Sequence, residues 1–329
     1  MAFDRLQSPA VIGTLYERLS AQTGAPWIEA VSGPPISSSQ EIETYARLGM
    51  VPAMRQWIGG RQAKGLRDTG QTIKNLPYES TLEIPVDWMR RDKTGHIAQR
   101  IGEQAARAAT HWASLLSTQI LTGLTGLCDD GLPFFSASHA FGDSGTLSNI
   151  VPVTLSALEQ IPSNERGTVA DPSASVMKHA ILNGIARFYT FRDDQGEPIN
   201  EDARNFLVMV PTTLLNAARA AVSLPSVERG TANLIPSSPD FSVQVVANTR
   251  LDSANAWVET SPQLNSFAIF RTDGVLRPLI RQSEIDIEVS AQAEGSDIEF
   301  NDRVHRYGLY ASRAVGYGYW PHANLVRIV

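Results

Sequence analysis

Residues 94–124 read TGHIAQRIGEQAARAATHWASLLSTQILTGL, a run without proline. Within it Ile97, Ile101, Ala105, Ala108, Trp112, Leu115 and Gln119 follow one another at spacings of 4, 4, 3, 4, 3 and 4. That spacing is one stripe on a helix of period 3.6. At 1.5 Å per residue the predicted helix is roughly 45 Å long, more than a compact domain of this size needs. A helix with so narrow an apolar stripe requires a surface to lie on.

Immediately before it, Leu82, Ile84, Val86 and Trp88 alternate with Thr81, Glu83 and Asp87, which predicts a strand. Further upstream, IGGRQAKGLRDTG (residues 58–70) is too polar and glycine-rich for a core. Residues 45–92 therefore read as an extended hairpin with a charged tip at residues 61–68 and a turn at residues 75–77. An isolated hairpin is marginal in water, so this one is expected to rest on another surface. Residues 1–44 read as an arm. Val11, Leu15 and Leu19, four apart, predict a short helix over residues 10–21, and Gly33-Pro34-Pro35 with its serines then blocks regular structure. Trp27 and Ile28 gain by burial, so the arm is expected to dock on its own subunit or on a neighbour.

Downstream of the long helix, residues 123–145 form a loop with Phe134 and Phe135 as buried aromatics. A second domain starts near Asn149. Asp171-Pro172 has the chemistry of a helix start, and Val176, Ile181, Ile185 and Phe188 continue that helix. Residues 193–198 are a turn. NFLVMV (residues 205–210) is a fully buried strand, and Pro211 opens another helix. Strands follow at residues 241–247, 256–259, 267–270 and 284–289, and residues 300–329 read as strand, turn, strand. Strands and helices mixed without a βαβ rhythm define an α+β fold.

Length and composition set the outer bounds. The 329 residues suggest about two domains. With 43% hydrophobic and 19% charged residues, the chain can bury a substantial core. The net charge of −6 argues against a basic nucleic-acid-binding surface. A single cysteine, Cys128, excludes an internal disulfide and suits a reducing compartment. The first residues carry charges where a signal peptide needs an apolar run, and no apolar stretch approaches a membrane span. The expected place of folding is the cytoplasm.

Chemistry finds little footing. CDDGLPFFSASH (residues 128–139) places Cys128, Ser138 and His139 close to Asp129 and Asp130. This admits a hydrolase with Cys128 or Ser138 as nucleophile and His139 as base. No nucleophile elbow accompanies them, and a structural role is the favoured alternative. The six histidines form no metal-binding pair, and Gly316-Tyr317-Gly318-Tyr319 lacks the helix and lysine of a phosphate loop. Lys64 and Lys74 leave open a crosslink between subunits, against the ordinary case of solvated lysines.

Six stretches, taken in order, resemble the major head subunits of Mu-like phages and prophages. They are YARLGMVPAMRQWIGGRQ (45–62), IKNLPYESTLEIPVD (73–87), CDDGLPFFSASHAF (128–141), NFLVMVPTTL (205–214), VVANTRLDSANAWV (245–258) and RYGLYASRAVGYGYW (306–320). Residues 1–40 and 142–169 carry no part of the likeness. The resemblance implies the Hong Kong 97-like capsid fold. It makes residues 1–44 the N-terminal arm, 45–92 the extended loop, 93–149 the spine helix and first part of the peripheral domain, 150–280 the axial domain, and 281–329 a return to the peripheral domain.

It further implies a major capsid protein that assembles with itself as hexamers and pentamers into an icosahedral shell around double-stranded DNA. Scaffold or protease, portal and cement proteins would be its partners, and no catalytic, cofactor or metal site is expected. Assembly would occur in the host bacterial cytoplasm, with the virion capsid as destination. Arg55, Arg61, Lys64, Arg67, Asp68, Arg90 and Arg91 are the candidate inter-subunit contacts, because arginine suits bidentate pairing with carboxylates. A nanocompartment shell of the same fold is the alternative within this class.

Overall fold

The computed structural model describes residues 8–21, 24–48, 68–92, 95–141, 144–194, 196–224, 226–228, 231–233, 235, 240–252 and 265–329. Helix α1 (Ser8–Ala21) lies on α4 (His96–Ala109), with Val11 and Leu15 fully buried beside Ile97, Ile101 and Ala105. Helix α2 (Trp27–Ser32) puts Trp27, Ile28 and Val31 into the larger core. The predicted docking of the arm thus occurs on the chain's own body.

Strand β1 (Ile36–Ser37) and the pair β2 (Ile42–Leu48) and β3 (Asp68–Lys74) come next. β2 and β3 form an antiparallel ribbon joined to neither large sheet, with Ile42 opposite Lys74 and Leu48 opposite Asp68. The hairpin expected over residues 45–92 is therefore shorter than predicted. β4 (Leu76–Pro85) leaves the ribbon and pairs with β12 (Val304–Tyr317). The predicted strand also stops three residues early. Pro85 cannot donate to a ladder, and α3 (Val86–Arg91) begins directly after it. Val86 is buried there, whereas Trp88 is 67% exposed.

The long helix is two helices. α4 is followed by α5 (His111–Leu121), with Thr110 between them at φ −78°, ψ −2°. The Thr110 hydroxyl donates to the carbonyl of Arg107 at 3.0 Å, the local bonding by which threonine disturbs a helix. The break resets the phase of the buried stripe. Ile97, Ile101 and Ala105 are buried as predicted, but Leu116 and Ile120 continue inward in place of Trp112, Leu115 and Gln119. The pair still bridges both cores, α4 in the smaller cluster and α5 in the larger.

One large sheet has the order β1, β11 (Leu279–Gln292), β12, β4. The other comprises five strands: β5 (Ile150–Val153), β6 (Asn205–Val210), β9 (Ser242–Ala247), β10 (Asn265–Arg271) and β13 (Ala323–Ile328). Their spatial order is β5, β13, β10, β6, β9. β6 is buried from Phe206 to Val210, as its unbroken apolar run requires. Helices α6 (Ala174–Tyr189) and α7 (Leu215–Ser223) pack together and onto this sheet. α6 starts two residues later than predicted, because Ser173 is the cap and accepts from the Val176 amide at 3.3 Å. Gly184 of α6 sits where any Cβ would strike Ile269 and Val326, so the helix can approach the sheet closely.

The described residues also include a two-stranded hairpin, β7 (Ser226–Glu228) and β8 (Thr231–Ala232), and a short helix α8 (Asp297–Asp302). The strand expected at residues 256–259 lies outside the described residues. Residues 281–329 do not remain in one sheet. β11 and β12 form the middle of the four-stranded sheet, but after a turn at Trp320–His322 the chain crosses into the five-stranded one. Trp320 drives the crossing. It is fully buried, stacked on His139 at 4.0 Å and on Phe141 at 5.0 Å.

Candidate assembly interface

The root of the β2–β3 ribbon is a polar knot. Asn75, 3% exposed, donates its backbone amide to the Glu41 carbonyl at 2.8 Å. Its side-chain amide donates to the Gln40 carbonyl at 2.8 Å and to Ser38 Oγ at 3.0 Å. Ser38 in turn donates to Glu43 Oε1 at 3.0 Å, and Tyr45 donates its hydroxyl to Gln282 Oε1 at 2.7 Å. Ile73, 4% exposed, packs over Gly316 of β12, where a Cβ would collide with it. In place of the tight turn expected at residues 75–77, Asn75 is a pivot between ribbon and sheet. The glycine–tyrosine block works here as a seat for Ile73.

Apart from Ile73, the ribbon residues with described side chains are exposed or half-buried, and Lys74 pairs with Glu41 at 2.9 Å on the surface. Such a pair contributes little in isolation. Arg55, Arg61, Lys64 and Arg67 lie outside the described residues. Asp68 opens β3 opposite Leu48. Arg90 and Arg91 end α3 and are exposed, with the ten-residue strand β4 between that helix and the ribbon's root. Arg90 borders a hollow of about 580 Å³ with Ser296, Glu299, Phe300 and Arg303. Phe300, 87% exposed, projects from the same region. Among the described candidates, Asp68 opens β3 while Arg90 and Arg91 end α3, on different elements.

Sequence reading missed a second construction. Two guanidinium groups lie over the Trp112 ring, with the Arg313 carbon 4.7 Å and the Arg281 carbon 5.5 Å from its centroid. Desolvated contacts of this kind are worth about 2 kcal/mol each. Arg281 is also bound to Glu29 Oε1 at 2.8 Å and donates to the Gly33 carbonyl, which ties α2 to β11. Burial lowers the Arg313 pKa, while nearby Asp286 and Tyr78 oppose that shift. His111 sits edge-on to Tyr78 at 4.4 Å, and burial, Arg313 and Arg250 all push its pKa down. Arg281 lies three residues before the strand predicted at residues 284–289 and Arg313 inside the terminal strand–turn–strand block, so neither position signalled this arrangement.

The hydrolase constellation does not form. His139 is fully buried, its Nδ1 is 2.6 Å from Asp130 Oδ2, and its Nε2 is 3.3 Å from the Phe134 carbonyl. Both ring nitrogens are engaged, so neither faces Ser138 or Cys128 as a base must. Ser138 instead shares a hydrogen bond with Ser136 Oγ at 3.1 Å. Among the described residues, no three His, Cys, Asp or Glu side chains converge as metal ligands. No described helix is long and apolar enough to cross a membrane.

A two-strand ribbon, a helix pair spanning two cores and two unequal sheets make up the fold of phage capsid subunits. The PhiM1 mature capsid superposes with a TM-score of 0.56 over 94% of this chain and 89% of that one, at 14% identity. The procapsid of bacteriophage JBD30 gives 0.52 over 96% and 72%, at 18% identity. Within that class the sequence points more narrowly. Residues 14–158 match the family described as the Mu-like prophage major head subunit gpT.

The major capsid protein of Escherichia phage Mu is 30% identical over 123 residues, 35% of this chain and 40% of that protein. The FluMu prophage major head subunit of Haemophilus influenzae is 32% identical over 108 residues, 32% of this chain and 35% of that protein. The chain thus aligns with about two-fifths or less of the length of either relative. The family match reaches into residues 14–44, part of the arm to which the resemblance had not extended, and stops before the later motifs.

Proposed function

We propose that this chain is the major capsid protein of a tailed bacteriophage or Mu-like prophage. Copies of it associate as hexamers and pentamers into an icosahedral shell around double-stranded DNA. The observation that carries this reading is the capsid-subunit fold over 94% of the chain, joined to the Mu-like match at residues 14–158. In this reading the β2–β3 ribbon belongs to the extended loop, α4 and α5 are the spine, and the four- and five-stranded sheets form the peripheral and axial domains.

The physical logic is that of repeated weak contact. One surface patch meeting a different patch on the next copy closes a ring when the rotation permits. Many such contacts, each weak enough for a misplaced copy to leave, become strong together. A net charge of −6 suits a container that must release its nucleic acid. Scaffold or protease, portal and cement proteins are the partners this role requires, with assembly in the host cytoplasm and the virion capsid as the final location. The role requires no catalytic residue.

Deletion of residues 60–70 tests the reading. The shortened subunit is expected to fold, with unchanged circular dichroism, and to fail to make closed shells in electron micrographs. Normal shells from the deletion would refute the loop's role. Duplex DNA inside native particles supports the phage role, whereas a packed enzyme would assign a nanocompartment.

A further inference from the structure

Beneath β4 and β12, where α4 gives way to α5, lies a cleft of about 170 Å³. Arg313 lines it and is 3% exposed, yet among the described residues its guanidinium has no hydrogen-bond or ion-pair partner, and its Nε is an orphaned donor. Asp286 acts on it electrostatically but spends one oxygen on Ser283 Oγ at 2.7 Å. Arg107 adds an exposed second guanidinium at the rim. Among the described residues Glu79 is the one carboxylate in the lining, and it accepts from Thr81 Oγ1 at 2.8 Å. Ile287 and Leu309 supply an apolar wall. The Trp112 ring faces the Arg313 guanidinium but accepts none of its N–H donors. A buried donor without an acceptor is unfavourable, and an arginine fork matches a planar carboxylate.

We propose that this cleft receives a carboxylate side chain from a second copy of the chain. The inference rests on the shell-forming reading above. Charge favours that occupant: the cleft is cationic, while each copy carries 34 acidic against 28 basic side chains. A phosphate would satisfy the same donors, but the apolar wall suits the methylene stem of an aspartate or glutamate better than a hydrated nucleic-acid backbone.

Two variants test the proposal in the full chain. Arg107→Glu reverses the rim charge at an exposed position, and Arg313→Met removes the buried charge while keeping apolar bulk beside Trp112. Both subunits are expected to melt within a few degrees of the parent. Closed-shell yield, counted in electron micrographs, should fall roughly tenfold or more, because a small loss per contact is multiplied around the shell. Sodium acetate, with ionic strength held constant by sodium chloride, should slow assembly of the parent chain.

Parental yields from Arg107→Glu overturn the cleft and leave the shell reading intact. A parent chain that never closes shells, even with its assembly helpers, overturns the shell reading first. Inhibition by inorganic phosphate and duplex DNA but not by acetate would reassign the cleft to nucleic acid. If Arg313→Met does not fold, Arg107→Glu and the acetate series decide.

Discussion

Replacing Leu15 with alanine should release α1 from α4. Leu15 is fully buried in the smaller cluster with Val11, Ile97 and Ile101. The substitution deletes three carbons, worth about 0.8 kcal/mol each by transfer, and a cavity term brings the total to about 3 kcal/mol. Alone, a 14-residue helix such as α1 is marginal in water, so the loss should appear as local melting. A penalty of about 3 kcal/mol corresponds to amide exchange roughly 100-fold faster across residues 8–21. Hydrogen exchange followed by mass spectrometry on the unassembled subunit measures this directly. Trypsin cleavage after the exposed Arg18 gives a second readout. Tyr16→Ala is the control, because that side chain is 50% exposed and should change exchange only slightly. Unaltered exchange in Leu15→Ala would refute docking of the arm on its own subunit.

Acid should weaken the fold through His322, whose pKa burial pushes down to about 4. Its neutral form is favoured in the folded state, so stability is full above the unfolded value near 6.5 and falls as pH drops toward 4. The total loss is about 3 kcal/mol. Melting curves of His322→Gln should lack that share of the slope, and an unchanged slope would disprove it. Gly316→Ala should displace Ile73 and loosen the ribbon's root at a cost of about 1–3 kcal/mol. Exchange at residues 68–74 should rise with little change in the five-stranded sheet; a uniform rise would count against a local seat. His139→Ala should cost about 2–4 kcal/mol through the lost stack on Trp320 and the lost hydrogen bond to Asp130. A hydrolase using that histidine would instead lose turnover at an unchanged melting temperature.

Readings that depend on neighbours within one element survive contact with the structure. Ile97, Ile101 and Ala105 face inward, as does the run from Phe206 to Val210, and Phe134 and Phe135 are buried. Errors arise where one residue interrupts a pattern without changing its composition. Thr110 breaks a stripe that continues, on paper, through Trp112 and Leu115, and Pro85 ends an alternation that runs on to Trp88. Contacts across long separations carry no local signature. Nothing near Ile73 announces that Gly316 will receive it, and nothing near Trp112 announces two arginines some 170 and 200 residues later. Those contacts are set by register between β11, β12 and β4, and periodicity within a strand does not encode the partner's offset.

The position of β13 bears on the order in which the molecule can be completed. Residues 323–328 are inserted between β5, some 175 residues earlier, and β10. During synthesis the larger sheet must wait, split into two parts with bare edges, until this segment leaves the ribosome. A message truncated upstream of it would yield a product with an open slot between the edge strand β5 and the other three strands. Such a product would be quickly recognised by chaperones and proteases and unable to supply a finished building block, so quality control is written into the strand order itself.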